Sequence, residues 1–547
     1  MKPKIGRVSA TESNPSSCDS FVFWLDDNVR LSPFDIVKVE NKIGSFSSLT
    51  YAVVQDILHI TDSPGHMSNY ISSDFGDLET QPLTQKLGLS YALASVVHND
   101  KENYMPVREG SDVMTADADD IKKALGLDNI PSDKCIPAGI MKTSTGVSVP
   151  VNFNSDFLVG PEGAHLNISG ISGLATKTSY AMFLLQAIQH YQNDVAIIVL
   201  NVKGDDLLRL DENNDKITQK QKDEWSLSGL KCAPFTNVSY FYPYTKQEPH
   251  SLTVLNNATI ERQKRDRILF NYIYTFQKDK EKLDLLFTNV DDPNDTIESI
   301  INFIMENDEF SEGHWEDFKK RLREYTNRET KQKKTNQDIT IQSWRRFSRL
   351  INNSINNDIF QKSESGDPDL SHVSLSEKIK EIKSGHTYVV DIAKLDEQLQ
   401  CLVFGDVIKA VYDLKHGGTD REDIPRRIVI FVDELNKYAP STAVRNSAIL
   451  NYLKEISERG RSEGVILVSA EQFKSAVNDK IKGNCSSHVY GRTNAIEISK
   501  PDYRYIPKVY ANMMTRLGKG DLIIEHPIFK TLLKISFPFP SYKQGAE

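Results

Sequence analysis

Four uninterrupted apolar runs, Val195–Asn201 (VAIIVLN), Thr387–Ile392 (TYVVDI), Arg427–Asp433 (RIVIFVD) and Val465–Ser469 (VILVS), constrain this chain more than any other feature. Each has strand length and no alternation with polar residues, the pattern of strands buried on both faces. Helix-like sequence separates each from the next, so the runs imply a parallel sheet in an α/β fold. None approaches the length of a membrane span. The N-terminal MKPKIGRVSATESN has no apolar stretch behind its positive charge and so does not read as a signal peptide.

At 547 residues the chain is too long for one core. Before about residue 150, short β-runs (Ser20–Leu25, Phe34–Val39, Leu49–Ile60, Leu87–Val97) alternate with Asp, Asn, Ser and Pro turns, as in a small barrel or sandwich. Asp112–Leu127 reads as a helix after them. Residues 151–254 and 385–547 supply the α/β core and a Pro-containing tail, FPFPSYKQGAE. Residues 255–384 are rich in charged and amide side chains, with apolar residues three and four apart, and read as a helical insertion. Its basic stretch Lys319–Arg349 (KKRLRE, KQKK, SWRRFSR) is either a solvated helical face or a nucleic-acid contact. The net charge of −9 argues against a surface coated for nucleic acid but leaves room for a local basic channel. Five scattered cysteines without paired or metal-like spacing read as reduced cytoplasmic thiols.

Chemistry concentrates at strand ends. Ala164–Ser169 (AHLNIS) runs into Gly170-Ile-Ser-Gly-Leu-Ala-Thr-Lys-Thr178, and an amphipathic helix follows from Lys177 to Tyr191. A phosphate loop needs small residues so that backbone N–H groups can surround a phosphate. It also needs a Lys for the β/γ oxygens and a hydroxyl for Mg2+ at the helix start. Gly170, Gly173, Thr176, Lys177, Thr178 and Ser179 are the candidate binding residues. The spacing departs from GxxxxGK[ST], since Gly170 stands seven residues before Lys177 and Thr176 fills the second glycine's slot. A second signal is Arg426–Pro440, RRIVIFVDELNKYAP, a buried strand ending in two acids. Asp433 there can join a Mg2+ shell and Glu434 can polarise a water; the plainer alternative is a cap for the next helix. Gln472, after the next strand, either senses the terminal phosphate or faces solvent. Arg459 and Arg461 in SERGRSEG either complement a helix dipole or reach a neighbouring subunit's nucleotide. Lys203-Gly-Asp-Asp206 also follows a core strand; its acids either orient groups near the phosphate or start a helix.

Taken together, the β-rich N-terminal module, GISGLATKTS, VDE, ERGRSEGVILVSAEQ and the Pro-containing tail resemble the HerA family, hexameric motor ATPases related to FtsK-type DNA translocases. The chain is most similar to the bacterial branch found in anti-phage defence operons. The resemblance implies a RecA-like P-loop ATPase core, a small N-terminal barrel that builds one tier of a homohexamer, and ATP with Mg2+ as cofactors. Lys177 and Thr178 would hold nucleotide and metal, Asp433 the metal, and Glu434 the water; Arg461 would act in trans, and the tail would brace the adjacent subunit. Implied partners are duplex DNA in a central channel and an operon-encoded effector, a nuclease or sirtuin-type NADase, with no membrane. Two rivals remain: a nucleotide-binding scaffold with little hydrolysis, for which Thr176 gives a reason, and a conjugation or secretion coupling ATPase, which usually carries membrane helices.

Overall fold

The computed structural model describes residues 3–545 except 78, 80–86, 172–175, 289, 291, 293–294, 328–338, 417–422 and 443–446. Two compact units emerge: residues 1–153 with 494–537, and residues 154–493 with 538–547.

In the first unit, alternation of apolar and polar residues produces a closed antiparallel barrel. Its six strands run in the order Lys4–Ser9, Ser20–Leu25, Gly88–Asn99, Phe46–Thr61, Ile36–Ile43 and Asp112–Thr115, which returns to the first. Phe21 and Phe23 point inward with Val8, Val37, Val39, Val54 and Val113, while Trp24 stays exposed. The segment Asp112–Leu127, which its spacing predicts as one helix, divides. Asp112–Thr115 is the strand that closes the barrel, and the helix is confined to Ala118–Leu125. The division has a local cause. Asp117 caps the helix by accepting from Asp120 N at 2.9 Å, and Asp120 is pinned to buried Lys38 at 2.6 Å. Residues Asn494–Phe537 cluster with this unit, whereas the sequence reading assigns 385–547 to the core. Their strands Asp521–Glu525 and Leu533–Ser536 form an antiparallel pair, and the latter pairs with Cys135–Lys142.

The second unit is built on a parallel sheet, with strands numbered here from its beginning. They are β1 (Leu166–Ser169), β2 (Val195–Asn201), β3 (Val238–Pro243), β4 (Leu269–Thr275), β5 (Phe360–Gln361), β6 (His372–Ser374), β7 (Thr387–Asp391), β8 (Arg427–Asp433), β9 (Val465–Glu471) and β10 (Ser487–Tyr490). The order is β5-β4-β3-β7-β2-β8-β9-β1-β10, with β6 beside β4. The segment 255–384 therefore is not purely helical, because β4, β5 and β6 come from it and extend the sheet. Tyr-rich runs such as LFNYIYT satisfy strand and helix spacing alike, and pairing with β3 decides between them.

Three helices matter for the site: α1 (Thr176–Tyr191), α2 (Glu397–His416) and α3 (Ala448–Glu463). Val403, Phe404, Val407, Ile449 and Leu453 on α2 and α3 join Ile198, Leu200, Ile430, Val432 and Leu467 in one buried cluster. Each such side chain contributes about 1.5–3 kcal/mol of burial, so the sheet's site-bearing strands are held rigidly. Helix α1 packs on β2 and β9. The described part of the basic stretch lies on two amphipathic helices, Trp315–Tyr325 and Ile341–Ile355. Trp315, Phe318, Trp344 and Phe347 are buried there, and Lys320, Arg323, Arg345 and Arg349 are exposed. Exposure of these basic side chains suits either alternative, and KQKK lies outside the described residues. Among the described residues, no helix is long and apolar enough to cross a membrane.

Candidate functional site

Parallel registers set the carboxyl ends of the central strands nearly level. Asp433 lies opposite Ala470 across β8 and β9, Glu471 opposite Ser169 across β9 and β1, and Asn201 opposite Asp391 across β2 and β7. This is the edge at which open α/β sheets collect ligands.

The start of the candidate phosphate loop, Gly170 and Ile171, is rooted by neighbouring backbone. Gly170 N donates to Glu471 O at 3.1 Å, Ile171 N to Arg492 O at 2.7 Å, and Gly491 N to Ser169 O at 2.7 Å. Gly170 has φ +156°, and a Cβ there would stand 3.1 Å from Arg492 O and 3.2 Å from Gly491 Cα. The positive φ and this close approach together favour glycine. Gly173 lies outside the described residues. Thr176 opens α1, and Thr176, Lys177 and Ser179 are buried while Thr178 is half-buried. Lys177 Nζ donates to Gly170 O at 2.7 Å. Burial lowers the Lys177 pKa, against the opposing pull of Asp433. A buried ammonium on the first turn of a helix is a group able to receive an anion, and a divalent cation would offset the carboxylates around it.

The acid pair is held in an uncommon backbone conformation. Glu434 sits at φ +60°, ψ +49°, and its N–H donates to Ala470 O at 2.6 Å. The turn behind it is anchored by Tyr438, stacked on Phe404 with centroids 3.8 Å apart. A left-handed glutamate costs about 1–3 kcal/mol, offset by these contacts, and such strain concentrates at functional positions. Lys203 Nζ lies 3.3 Å from Asp433 Oδ2 and 2.9 Å from Glu434 Oε1, while Lys437 Nζ lies 2.9 Å from Glu434 Oε2. Burial alone would raise the Glu434 pKa, but the hydrogen bonds from Lys203 and Lys437 outweigh it and hold the carboxyl at about 2. Burial would likewise lower the Lys203 pKa, but Asp433 and Glu434 raise it on balance.

Glu471 has no counterpart among the residues singled out in the sequence. It is fully buried at the end of β9, and burial pushes its carboxyl up to about 8 although Lys177 pulls it down. The run VILVS continues two residues further as strand, so the carboxylate falls inside the sheet edge. Gln472 is the next residue, half-buried and beyond the strand end. Asp391 at the end of β7, raised by burial to about 6, accepts from Asn201 Nδ2 at 2.9 Å. Lys203, Lys437, Glu471 and Asp391 thus complete the electrostatics of the edge; Lys203 lay within a noted motif whose acids alone drew attention. Those acids face elsewhere: Asp205 pairs with Arg209, and Asp206 Oδ1 accepts from Gly545 N at 2.8 Å.

Arg459 and Arg461 are exposed on the last turns of α3, and Arg461 Nη1 donates to Glu162 O at 3.2 Å. Between them Gly460 is buried, where a Cβ would fall 2.3 Å from Val465 O. The glycine of ERGRSEG thus has a packing reason of its own. The tail lies along its own unit: Trp225 Nε1 donates to Phe539 O at 2.8 Å, Ser541 Oγ to Gln186 Oε1 at 3.0 Å, and Lys543 Nζ meets Glu212 Oε2 at 3.0 Å.

The donors present fit Mg2+ with a triphosphate. Asp433 Oδ1 is buried without a hydrogen-bond partner among the described residues, and carboxylate and threonine hydroxyl oxygens are the hard donors that Mg2+ takes. No cluster of three or more metal-ligating side chains occurs among the described residues. Mg2+ takes one or two carboxylates and completes its shell from phosphate and water.

A parallel sheet whose carboxyl edge carries a lysine at a helix start and an acid pair, with a closed antiparallel barrel in the other unit, defines an α/β protein. No family model matches the chain, and no curated protein does. Solved structures similar to it include the bacterial conjugative coupling protein TrwBdeltaN70 in unbound form, 12% identical, covering 73% of this chain and 89% of that one at a TM-score of 0.42. The plasmid coupling protein TrwB with the ATP analogue ADPNP is 10% identical over 70% and 88%, at 0.41. The genome packaging NTPase B204 of Sulfolobus turreted icosahedral virus 2, with ATP-gammaS, is 14% identical over 30% and 72%, at 0.22. Likenesses this distant concern the course of the backbone.

Proposed function

We propose that the chain is an ATP-hydrolysing ring subunit of HerA type, working on duplex DNA with a separately encoded effector in anti-phage defence. The observation that carries the ATPase reading is the buried Lys177 ammonium, electrostatically coupled to the Asp433–Glu434 pair on one sheet edge. Lys177 and the N–H groups at the start of α1 bind the β- and γ-phosphates. Thr178 and Asp433 hold Mg2+, which when bound offsets phosphate charge. Glu434, kept ionised by Lys203 and Lys437, accepts a proton from the attacking water. Arg461, exposed on α3, is the residue offered to a neighbouring subunit, and Gln472 the one nearest the terminal phosphate.

The homohexamer, the DNA channel and the nuclease or sirtuin-type partner rest on the motif resemblance, and the cytoplasmic location on the scattered, unpaired cysteine pattern. The scaffold alternative draws on Thr176, buried in the slot where a glycine is usual. ATP turnover measured with and without duplex DNA separates the two. A motor shows DNA-stimulated hydrolysis that Glu434→Gln abolishes while nucleotide stays bound. Turnover at background under both conditions, with intact nucleotide binding, overturns the motor reading in favour of the scaffold.

A further inference from the structure

Among the described residues Lys203 is the one cation paired with both members of the acid pair, and the reading above gives it no part beyond keeping Glu434 ionised. Its Nζ is 3.3 Å from Asp433 Oδ2 and 2.9 Å from Glu434 Oε1. The three side chains differ sharply in exposure: 4% for Asp433, 18% for Glu434 and 51% for Lys203. Two adjacent carboxylates at the edge of a buried sheet repel each other and lose hydration, so a counter-charge is needed whenever no other cation is present.

We propose that Lys203 is a positioning residue that serves as a resident counter-ion, holding Asp433 and Glu434 in register and yielding Asp433 when a divalent cation arrives with nucleotide. The inference rests on the assignment of Asp433 to the metal. Mg2+ binds carboxylate oxygen at about 2.1 Å. A divalent ion at Asp433 and an ammonium 3.3 Å from one of its oxygens repel strongly in a poorly hydrated site. The ammonium is the one able to leave, being a hydrated point charge on a flexible, half-exposed stem.

The surroundings are built so that the side chain moves and the backbone does not. Asn201 Nδ2 donates to Gly204 O at 3.0 Å, Asp205 pairs with Arg209, and Asp206 accepts from Gly545 N at 2.8 Å. The loop that carries Lys203 is thereby tied to β2 and to the tail. Glu434 is not abandoned on withdrawal, because Lys437 holds its other oxygen at 2.9 Å. Asp433, whose paired oxygen contacts Lys203 alone among the described ion pairs, is the group released.

The test is the Mg2+ requirement for binding a fluorescent ADP analogue, read as half-saturating Mg2+ by titration, together with thermal unfolding in Mg2+ alone. Lys203→Met removes a competitor, so half-saturating Mg2+ falls about fivefold, the effect of one partly exposed ion pair. In metal-free buffer the same variant melts lower than wild type, and Mg2+ restores it by a larger margin. Lys203→Arg, which keeps the charge, stays near wild type in both measurements. General damage to the site would raise the Mg2+ requirement instead, so the direction discriminates. Half-saturating Mg2+ unchanged or raised in Lys203→Met overturns the proposal. Asp433→Asn is the control on the underlying assignment. Should it leave the Mg2+ dependence intact, the metal site itself is misassigned; should it abolish that dependence while Lys203→Met has no effect, the counter-ion role alone is lost.

Discussion

At the scale of the residue, the site is a contest between burial and charge. Glu434 follows the end of β8 and Glu471 ends the neighbouring β9, yet one is held at about 2 and the other lifted to about 8. The difference is that lysines contact Glu434 directly, whereas at Glu471 the loss of water outweighs the pull of Lys177 and Lys474. The folded Glu471 carboxyl keeps its proton between about pH 5 and 8, where the unfolded chain has released it. Stability therefore declines as pH rises through that window, by about 1.4 kcal/mol for each unit at most. Glu471→Gln imitates the protonated form and removes this slope. The variant's melting temperature then changes less between about pH 5.5 and 8 than the wild type's; an equal change in both would contradict the buried-acid account. Asp433 and Glu434 were legible in the sequence because they terminate an apolar run. Glu471 was not, because nothing in SAEQ marks whether the strand stops at Ser469 or two residues later.

At the scale of the element, two functional-looking features have packing causes. Gly460 lies where α3 comes closest to the start of β9, and a methyl group there would meet Val465 O at 2.3 Å. Gly460→Ala destabilises the second unit by about 2–3 kcal/mol, a drop of roughly 3–4 °C in a domain of this size. Arg461→Ala, at an exposed position, leaves melting nearly unchanged. Equal melting of Gly460→Ala and wild type would show that the helix end has room the geometry denies. The capping box of Asp117 and Asp120 similarly explains why a stretch that reads as one helix closes a barrel before turning helical. Periodicity alone missed both this strand and β4, since long-range pairing rather than local preference assigned them.

At the scale of the whole chain, the α/β core, the barrel and the strand-end acids were readable from run length and alternation. The division between units was less so, because residues 494–537 return to the N-terminal unit from far along the sequence. No local composition announces such a return. The net charge of −9 places any DNA contact on restricted basic surface, so DNA-dependent effects should weaken steeply with salt. The central claim concerns one lysine and one acid pair, and calorimetric titration of Mg2+-ATP tests it most directly. Wild type and Glu434→Gln should bind nucleotide, whereas Lys177→Ala should lose about a hundredfold in affinity or more. Equal affinity in Lys177→Ala and wild type would contradict the account.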